Sequence, residues 1–70
     1  MNQTHKILSY LEQGNEITPL DALYKFGVFR LGARIWELRE AGYNIDTKIV
    51  TRNGKHFASY RLERTHANTI

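Results

Sequence analysis

Residues 18–42 read TPLDALYKFGVFRLGARIWELREAG, and this stretch contains the start and stop signals of two successive helices. Thr18 supplies a capping hydroxyl, Pro19 suits the first helical position, and the carboxylate of Asp21 faces the positive end of the helix dipole. These signals predict a helix over residues 19–26. Its predicted apolar face consists of Leu20, Leu23 and Tyr24.

A second helix is predicted to follow almost at once, over residues 29–41, and to end at Gly42. The side chains on its inward stripe are Leu31, Ile35 and Leu38. A short turn containing Gly27 joins the two helices, and two helices connected in this way form a helix-turn-helix. Small helical bundles also contain such tight turns. The elements on either side of the two helices are therefore needed to distinguish a helix-turn-helix motif from a bundle.

The residues after the second helix predict a β-hairpin over residues 44–62. Residues 44–51 are rich in β-branched side chains, and Asn53-Gly54 is the strongest short signal for a two-residue hairpin turn. Such a turn sets the register, with Arg52 opposite Lys55, Ile49 opposite Ala58, Thr47 opposite Tyr60 and Ile45 opposite Leu62. The last three pairs share one face, which we expect to pack on the core.

The opposite face of the hairpin is expected to contact water and to carry an ion pair between Asp46 and Arg61. Upstream, residues 4–13 show apolar side chains at helical spacing, with Thr4 as the expected N-cap and Gly14 just after the helix. Residues 15–17 either link two helices or form a short strand that pairs with later ones. The domain is placed at residues 1–62, and residues 63–70 are expected to be a polar, disordered tail.

Three helices followed by a two-stranded β-hairpin wing are the element order of an α+β, winged helix-turn-helix fold. Within it, residues 34–45, RIWELREAGYNI, resemble the small helix-turn-helix domain family common in bacteriophages and prophages. Residues 18–23 are similar to the opening of that family's second helix, and the resemblance covers residues 4–62. It implies a DNA-binding protein of phage or prophage type, either a small transcription regulator or an excisionase-like factor that shapes DNA for recombination.

Charge is distributed unevenly along the 70 residues, whose formal net charge is +3. Residues 1–28 hold two Lys against three acidic residues, a net of −1, while residues 29–70 hold eight Lys and Arg against four acidic residues, a net of +4. A basic C-terminal part favours a polyanionic partner such as double-stranded DNA. The sequence has no cysteine and no apolar run of membrane-spanning length, so we expect a cytoplasmic protein of a bacterial host cell, without a membrane partner.

The candidate DNA-binding residues lie on the second helix of the motif and at the hairpin turn. They are Arg30, Ala33, Arg34, Glu37, Arg52 and Lys55. A helical projection places Arg30, Ala33 and Glu37 on one outward stripe, and Gly32, Trp36 and Glu40 on another. Arg30 lies in the first turn, which reaches deepest into the major groove, where an arginine can contact guanine O6 and N7.

Other candidate residues have two interpretations each. Arg34 either contacts a phosphate or pairs with Asp21 or Glu37 and braces the third helix against the second. The carboxylates of Glu37 and Glu40 repel phosphates unless they accept from cytosine N4 or lie clear of the backbone. Trp36 either packs against the wing as core or anchors a dimer or partner interface. Two tyrosines are expected to be core aromatics beneath the sheet: Tyr43 and Tyr60.

Nothing in the sequence favours an enzyme, a metal site or a cofactor. The three histidines, His5, His56 and His66, lack metal-ligand spacing, and neither a nucleophile triad nor a glycine-rich phosphate loop is present. We therefore expect a non-enzymatic protein without a cofactor. The alternative to DNA binding is a winged-helix module that inhibits or redirects a host protein, since one fold serves many functions.

Overall fold

The computed structural model describes residues 2–63, which form three helices followed by a two-stranded antiparallel sheet. The elements are α1 Gln3–Glu12, α2 Pro19–Phe26, α3 Leu31–Glu40, β1 Ile45–Arg52 and β2 Lys55–Leu62. The predicted winged helix-turn-helix fold is confirmed. None of the helices in this part of the chain is long and apolar enough to cross a membrane.

The predicted N-cap of α1 is wrong by two residues. The side chain of Asn2 accepts a hydrogen bond from the backbone N–H of His5 at 2.8 Å and caps the helix. The hydroxyl of Thr4 instead donates to the carboxylate of Glu37 on α3. Asparagine and threonine are both good N-caps, so the local pattern did not separate them.

The start of α2 is confirmed in detail. The hydroxyl of Thr18 accepts from the N–H of Asp21, and the carboxylate of Asp21 accepts from the N–H of Thr18, each at 3.2 Å. This reciprocal arrangement is a capping box, and it satisfies two helix-end donors at once. At the other end Gly27 takes a left-handed conformation, φ 68°, which a helix stop needs and glycine tolerates.

The predicted apolar face of α2 is wrong at Leu20 and Tyr24, while Leu23 is half-buried. Leu20 and Tyr24 are 58% and 78% exposed, while Ala22 is fully buried and Phe26 packs against the core. Phe26 also meets Tyr10 of α1 edge to face, with ring centroids 5.4 Å apart. The small Ala22 side chain faces the other helices, so packing rather than side-chain size decided which face of α2 turned inward.

One hydrophobic core unites the helices and the base of the hairpin. The predicted inward stripe of α3, Leu31, Ile35 and Leu38, is confirmed, with each side chain at most 3% exposed. The buried apolar residues are Ile7, Leu8, Leu11, Ile17, Ala22, Val28, Leu31, Ile35, Leu38 and Ile45. Because β1 contributes only Ile45 to this set, the wing is attached to the core through its base.

The predicted register of the hairpin is confirmed at every pair from Ile45–Leu62 to Arg52–Lys55. Asn53 and Gly54 both have positive φ, 51° and 76°, as a two-residue turn of the type that matches strand twist requires. The predicted burial of Thr47 and Ile49 is wrong, since Thr47 is exposed and the side chain of Ile49 is 65% exposed. The hairpin residues that pack on the core, Ile45, Tyr60 and Leu62, lie away from the turn, so the helices leave the outer half uncovered.

Residues 15–17 extend the sheet, as one of their two predicted alternatives required. Ile17 and Tyr60 exchange two backbone hydrogen bonds of 2.9 Å each, so Ile17 pairs with the free edge of β2. At the end of the hairpin, the N–H of Glu63 donates to the carbonyl of Asn44 at 2.8 Å. Of the predicted tail, residues 63–70, Glu63 is among the described residues and makes this bond, whereas residues 64–70 lie outside them.

Candidate nucleic-acid interface

Helix α3 begins two residues later than predicted. Arg30 is its N-cap residue, with φ −121° and no side-chain cap, and Phe29 lies before the helix with 85% of its surface exposed. The first side chain of α3 that enters the core is Leu31. Burial of Leu31 therefore sets the start of the helix, and Arg30 remains exposed at its entrance.

One edge of α3 is linked to α1. The guanidinium of Arg34 pairs with the carboxylate of Glu37 at 3.0 Å, and the same carboxylate accepts from Thr4 of α1 at 2.5 Å. Of the partners expected for Arg34, Glu37 is the one observed, whereas Asp21 belongs to the α2 cap. The brace connects α3 to α1 rather than to α2, because Glu37 lies on the side of α3 that faces Thr4.

The other edge of α3 is linked to the wing through Arg39, which was not among the predicted site residues. Its Nε and Nη2 donate to the carbonyl of Ile45 at 3.1 and 2.6 Å, and Nη2 also donates to the hydroxyl of Thr47 at 2.7 Å. These bonds tie the last turn of α3 to β1 and fix the angle between helix and wing. The signal in the sequence was a basic side chain in the last helical turn, which commonly bonds nearby carbonyls.

The outward face of α3 lies between these two edges. It contains Gly32, Ala33, Trp36 and Glu40, of which Ala33 is half-buried and the others are exposed. The core interpretation of Trp36 is wrong, since its side chain is 61% exposed. Trp36 directly follows the buried Ile35, and one residue turns a helix by about 100°, away from the core.

Of the two tyrosines predicted to lie beneath the sheet, one packs on the core and the other is exposed. Tyr60 is half-buried and packs against the core, as predicted. The prediction that Tyr43 is buried is wrong, because the residue is 37% exposed. Its N–H donates to the carbonyl of Leu38 at 3.0 Å in the turn that ends α3, where the chain runs along the surface.

The hairpin turn presents two cations side by side. Arg52 and Lys55 pair across the strands, as predicted. The guanidinium of Arg52 lies 5.8 Å from the centroid of the Phe57 ring, within the range of a cation–π contact. Within residues 2–63, no acidic side chain lies within ion-pair distance of Arg52, Lys55 or Arg30.

Nearer the base of the hairpin, the same outer face of the sheet carries cations that are paired. Glu16 accepts from the hydroxyl of Ser59 at 3.0 Å and lies 3.4 Å from the ammonium of Lys48. The Ser59 bond, followed by Lys48, lowers the pKa of Glu16. The prediction that this face is fully wet is wrong at Ser59, which is 4% exposed because the segment before α2 covers it.

A carboxyl pair lies at the base of the same face. Arg61 is opposite Asp46, as the register requires, but its guanidinium pairs with Glu63 at 2.9 Å instead. A hydrogen bond between the two carboxyl groups raises the pKa of Asp46, and the same bond, together with Arg61, lowers the pKa of Glu63. The expected Asp46–Arg61 ion pair is therefore replaced, because the chain returns at Glu63 to within reach of both groups.

Comparison with known families agrees with this architecture. The family model of the winged helix-turn-helix domain matches residues 2–65. The chain belongs to the winged helix-turn-helix domain family. No curated protein and no solved structure matches it. In a winged helix-turn-helix domain of this form, α2 and α3 are the two helices of the motif and the hairpin β1–β2 is the wing, and such domains are typically DNA-binding modules without enzymatic activity.

Proposed function

We propose that this chain is a DNA-binding protein of phage or prophage type that inserts α3 into the major groove and lays its wing on the DNA backbone. One observation carries the proposal: the distribution of unpaired positive charge. Arg30, before α3, and Arg52 and Lys55, at the wing turn, have no acidic partner among residues 2–63. Arg34 on α3 and Lys48 and Arg61 nearer the base of the hairpin each have one, while Lys6 on α1 and Lys25 on α2 also lack one in this part of the chain.

Unpaired cations at these places suit a polyanion better than they suit the isolated protein. Arg52 and Lys55 are direct neighbours across the strands, and like charges in that position destabilise a hairpin. A phosphate group between or beside them would offset that cost. The contact of Arg52 with Phe57 restricts the guanidinium, so less side-chain freedom is lost when it binds.

The residues at the start and along one edge of α3 have different proposed roles in DNA binding. Arg30 contacts a guanine, and Ala33 lies beside it on the outward face with a side chain too small to obstruct the groove. Arg34 and Glu37 lie at the edge toward α1, where we place them beside the DNA backbone. Because their charges neutralise each other at 3.0 Å, we expect them to set orientation more than affinity.

A small DNA-binding protein of this kind serves either as a transcription regulator or as an excisionase-like factor. The two roles differ in what they do to the duplex, because an architectural factor bends its site while a regulator need not. A bend angle measured on the preferred duplex by fluorescence energy transfer between its ends separates them. A duplex that stays straight excludes the architectural, excisionase-like role.

The test of DNA binding is a salt titration of the double variant Arg52→Ala/Lys55→Ala against preferred and random duplexes. We expect weaker binding to both, and a slope of log affinity against log salt that is smaller by about 0.9 for each phosphate that the variant no longer neutralises. Arg30→Ala should instead lose about 1–3 kcal/mol on the preferred duplex and much less on random DNA, as removal of a base-reading side chain requires.

The matched control is Lys48→Ala/Arg61→Ala, which removes the same formal charge from the same face of the hairpin, nearer its base. Both cations are paired there, with Glu16 and Glu63, so its slope should stay close to that of the wild type. A wing variant with the wild-type slope would exclude the wing from the binding site. Equal slopes in wing and control variants, both reduced, would indicate only a general charge effect.

Host-protein binding is the second candidate function, and it rests on a different observation. Leu20, Tyr24 and Phe29 are 58%, 78% and 85% exposed around α2 and the turn after it. Large exposed apolar side chains in one region mark an interaction surface. Wild-type protein that binds no duplex even at low salt would favour this function over DNA binding.

A further inference from the structure

The outward face of α3 has no free charge over its first two turns after Arg30. Arg34 and Glu37 close one edge through their ion pair and through Thr4, and Arg39 closes the other edge on β1. The side chains left between these edges before Glu40 are those of Ala33 and Trp36, with Gly32 beside them. A helix proposed to read base edges therefore presents an apolar surface to them.

Packing within the fold does not account for two residues of that surface. Trp36 is 61% exposed, although tryptophan is the largest apolar side chain in the sequence. Gly32 has no heavy atom within 4 Å of the place its Cβ would take, and its φ is not in the left-handed region. Neither packing nor backbone conformation requires glycine there, yet glycine costs about 1 kcal/mol relative to alanine inside a helix.

We propose that Trp36 is a specificity-determining residue that contacts the C5-methyl group of thymine in the major groove. The inference rests on the proposed function and extends it to the bases that are read. The thymine methyl is the apolar group that base pairs expose in the major groove, and apolar side chains are its usual contacts. Gly32 lies one turn before Trp36 on the same stripe, so the duplex can approach the helix backbone there without a side chain between.

The distribution of charge supports DNA as the occupant of this face rather than a second copy of the chain. Arg30 stands unpaired at the start of the helix, and the wing beyond Arg39 carries the unpaired Arg52 and Lys55. A second copy docked on this face would add a second set of the same three cations to the interface. Glu40 follows Trp36 one turn later and would repel phosphates, which confines the contact to the first two turns of α3.

The experiment removes single methyl groups from the DNA. The full-length protein is used to select a preferred duplex from a random library, and each thymine of that duplex is then replaced in turn by deoxyuridine, which lacks only the C5-methyl. For the wild type we expect at least one position at which affinity falls by about fourfold, the factor for burying one methyl group. Trp36→Ala should bind the thymine duplex more weakly and show no difference between thymine and deoxyuridine at that position.

Two further variants make the result specific to Trp36. Trp36→Phe retains an apolar ring and should keep part of the methyl effect. Tyr24→Ala removes another exposed aromatic residue, on α2, and should leave the methyl effect intact even if overall affinity changes. Sedimentation of wild type and Trp36→Ala reports whether Trp36 joins two copies of the chain.

Four outcomes overturn the inference. They are wild-type binding that is insensitive to deoxyuridine at every position, a methyl effect that survives in Trp36→Ala, binding without any sequence preference, and a wild-type dimer that Trp36→Ala dissociates. In the first three, DNA binding itself stands. A wild type that binds no duplex at any salt concentration would instead remove the proposed function, and this inference with it.

Discussion

Helices α2 and α3 form one motif, but they begin in opposite ways. α2 starts with a capping box between Thr18 and Asp21 and with Pro19 at the first helical position, so its end groups are satisfied from within. α3 starts at Arg30 with no side-chain cap, next to the exposed Phe29, and has Gly32 in its first turn. One helix is defined by local chemistry, and the other is not.

The difference shows where each helix obtains its stability. α2 buries little of its own surface, with Ala22 as its fully buried side chain, so its cap has to contribute substantially. α3 buries Leu31, Ile35 and Leu38 and depends on the core. A helix held from behind by its buried stripe can leave its outward face free of contacts within the fold.

Substitution of Ile35 tests the dependence of α3 on the core and has the largest expected effect. Ile35 is 1% exposed, and Ile35→Ala should lower the free energy of unfolding by about 2–5 kcal/mol. Because natural domains are stable by only about 5–15 kcal/mol, this is a large fraction of the total. Urea unfolding measures it, with Ile35→Val, expected to cost about 0.5–1.5 kcal/mol, as the graded control. If Ile35→Ala lowers the free energy of unfolding by less than Ile35→Val does, the stability of α3 does not depend on burial of Ile35.

Removal of the α2 cap has the next largest effect. Thr18→Val keeps the size and branching of the side chain but deletes the acceptor for the N–H of Asp21, and should cost about 1 kcal/mol. Thr4→Val is the matched control, since its hydroxyl bonds an exposed carboxylate and does not cap α1; it should stay within about 0.5 kcal/mol of the wild type. Equal losses at both positions would remove the contrast between cap and surface bond.

The smallest effect concerns Glu16, which connects the start of α2 to the sheet. The Ser59 and Lys48 contacts hold its pKa below the usual value, so its stabilising contribution is present at neutral pH and is lost as the pH falls through the folded-state pKa. Glu16→Gln should therefore have a lower melting temperature than the wild type at neutral pH, and the difference should shrink in acid. Ser59→Ala should weaken the same pH dependence. A difference that is constant with pH would assign the effect to packing.

The melting temperatures of wild type and Glu16→Gln have to be compared at the same pH. The stability of the wild type also depends on pH through Asp46 and Glu63, whose contributions change in opposite directions. The raised pKa of Asp46 stabilises the fold at low pH, and that contribution is lost as the pH rises through its folded-state value. The lowered pKa of Glu63 acts in the opposite direction. Neither is altered by Glu16→Gln, so both cancel when wild type and variant are compared at one pH.

Local chemistry in the sequence was enough to predict the elements and their order. Thr18, Pro19 and Asp21 located the start of α2, and Asn53-Gly54 determined the hairpin register at every pair. These features depend on contacts between residues close in the chain, and a one-residue slip of the hairpin would reverse the face of every side chain. The cations at Arg30, Arg52 and Lys55 were identified in the same way, since exposed positions at element ends follow from the element boundaries.

Only the tertiary structure decided which side chains are engaged and which are open. Thr4 meets Glu37 across 33 residues of chain, and Ser59 meets Glu16 across 43, and no local pattern contains such pairings. The same cause explains why Leu20, Tyr24 and Ile49, expected on inward faces, lie at the surface. It also explains why the core alternative for Trp36 is wrong. Periodicity shows that a residue is apolar and where it stands on its own helix or strand, whereas burial depends on how far the neighbouring elements reach. Here the helices cover only the base of the wing and one side of α3, so the remaining apolar side chains stay exposed.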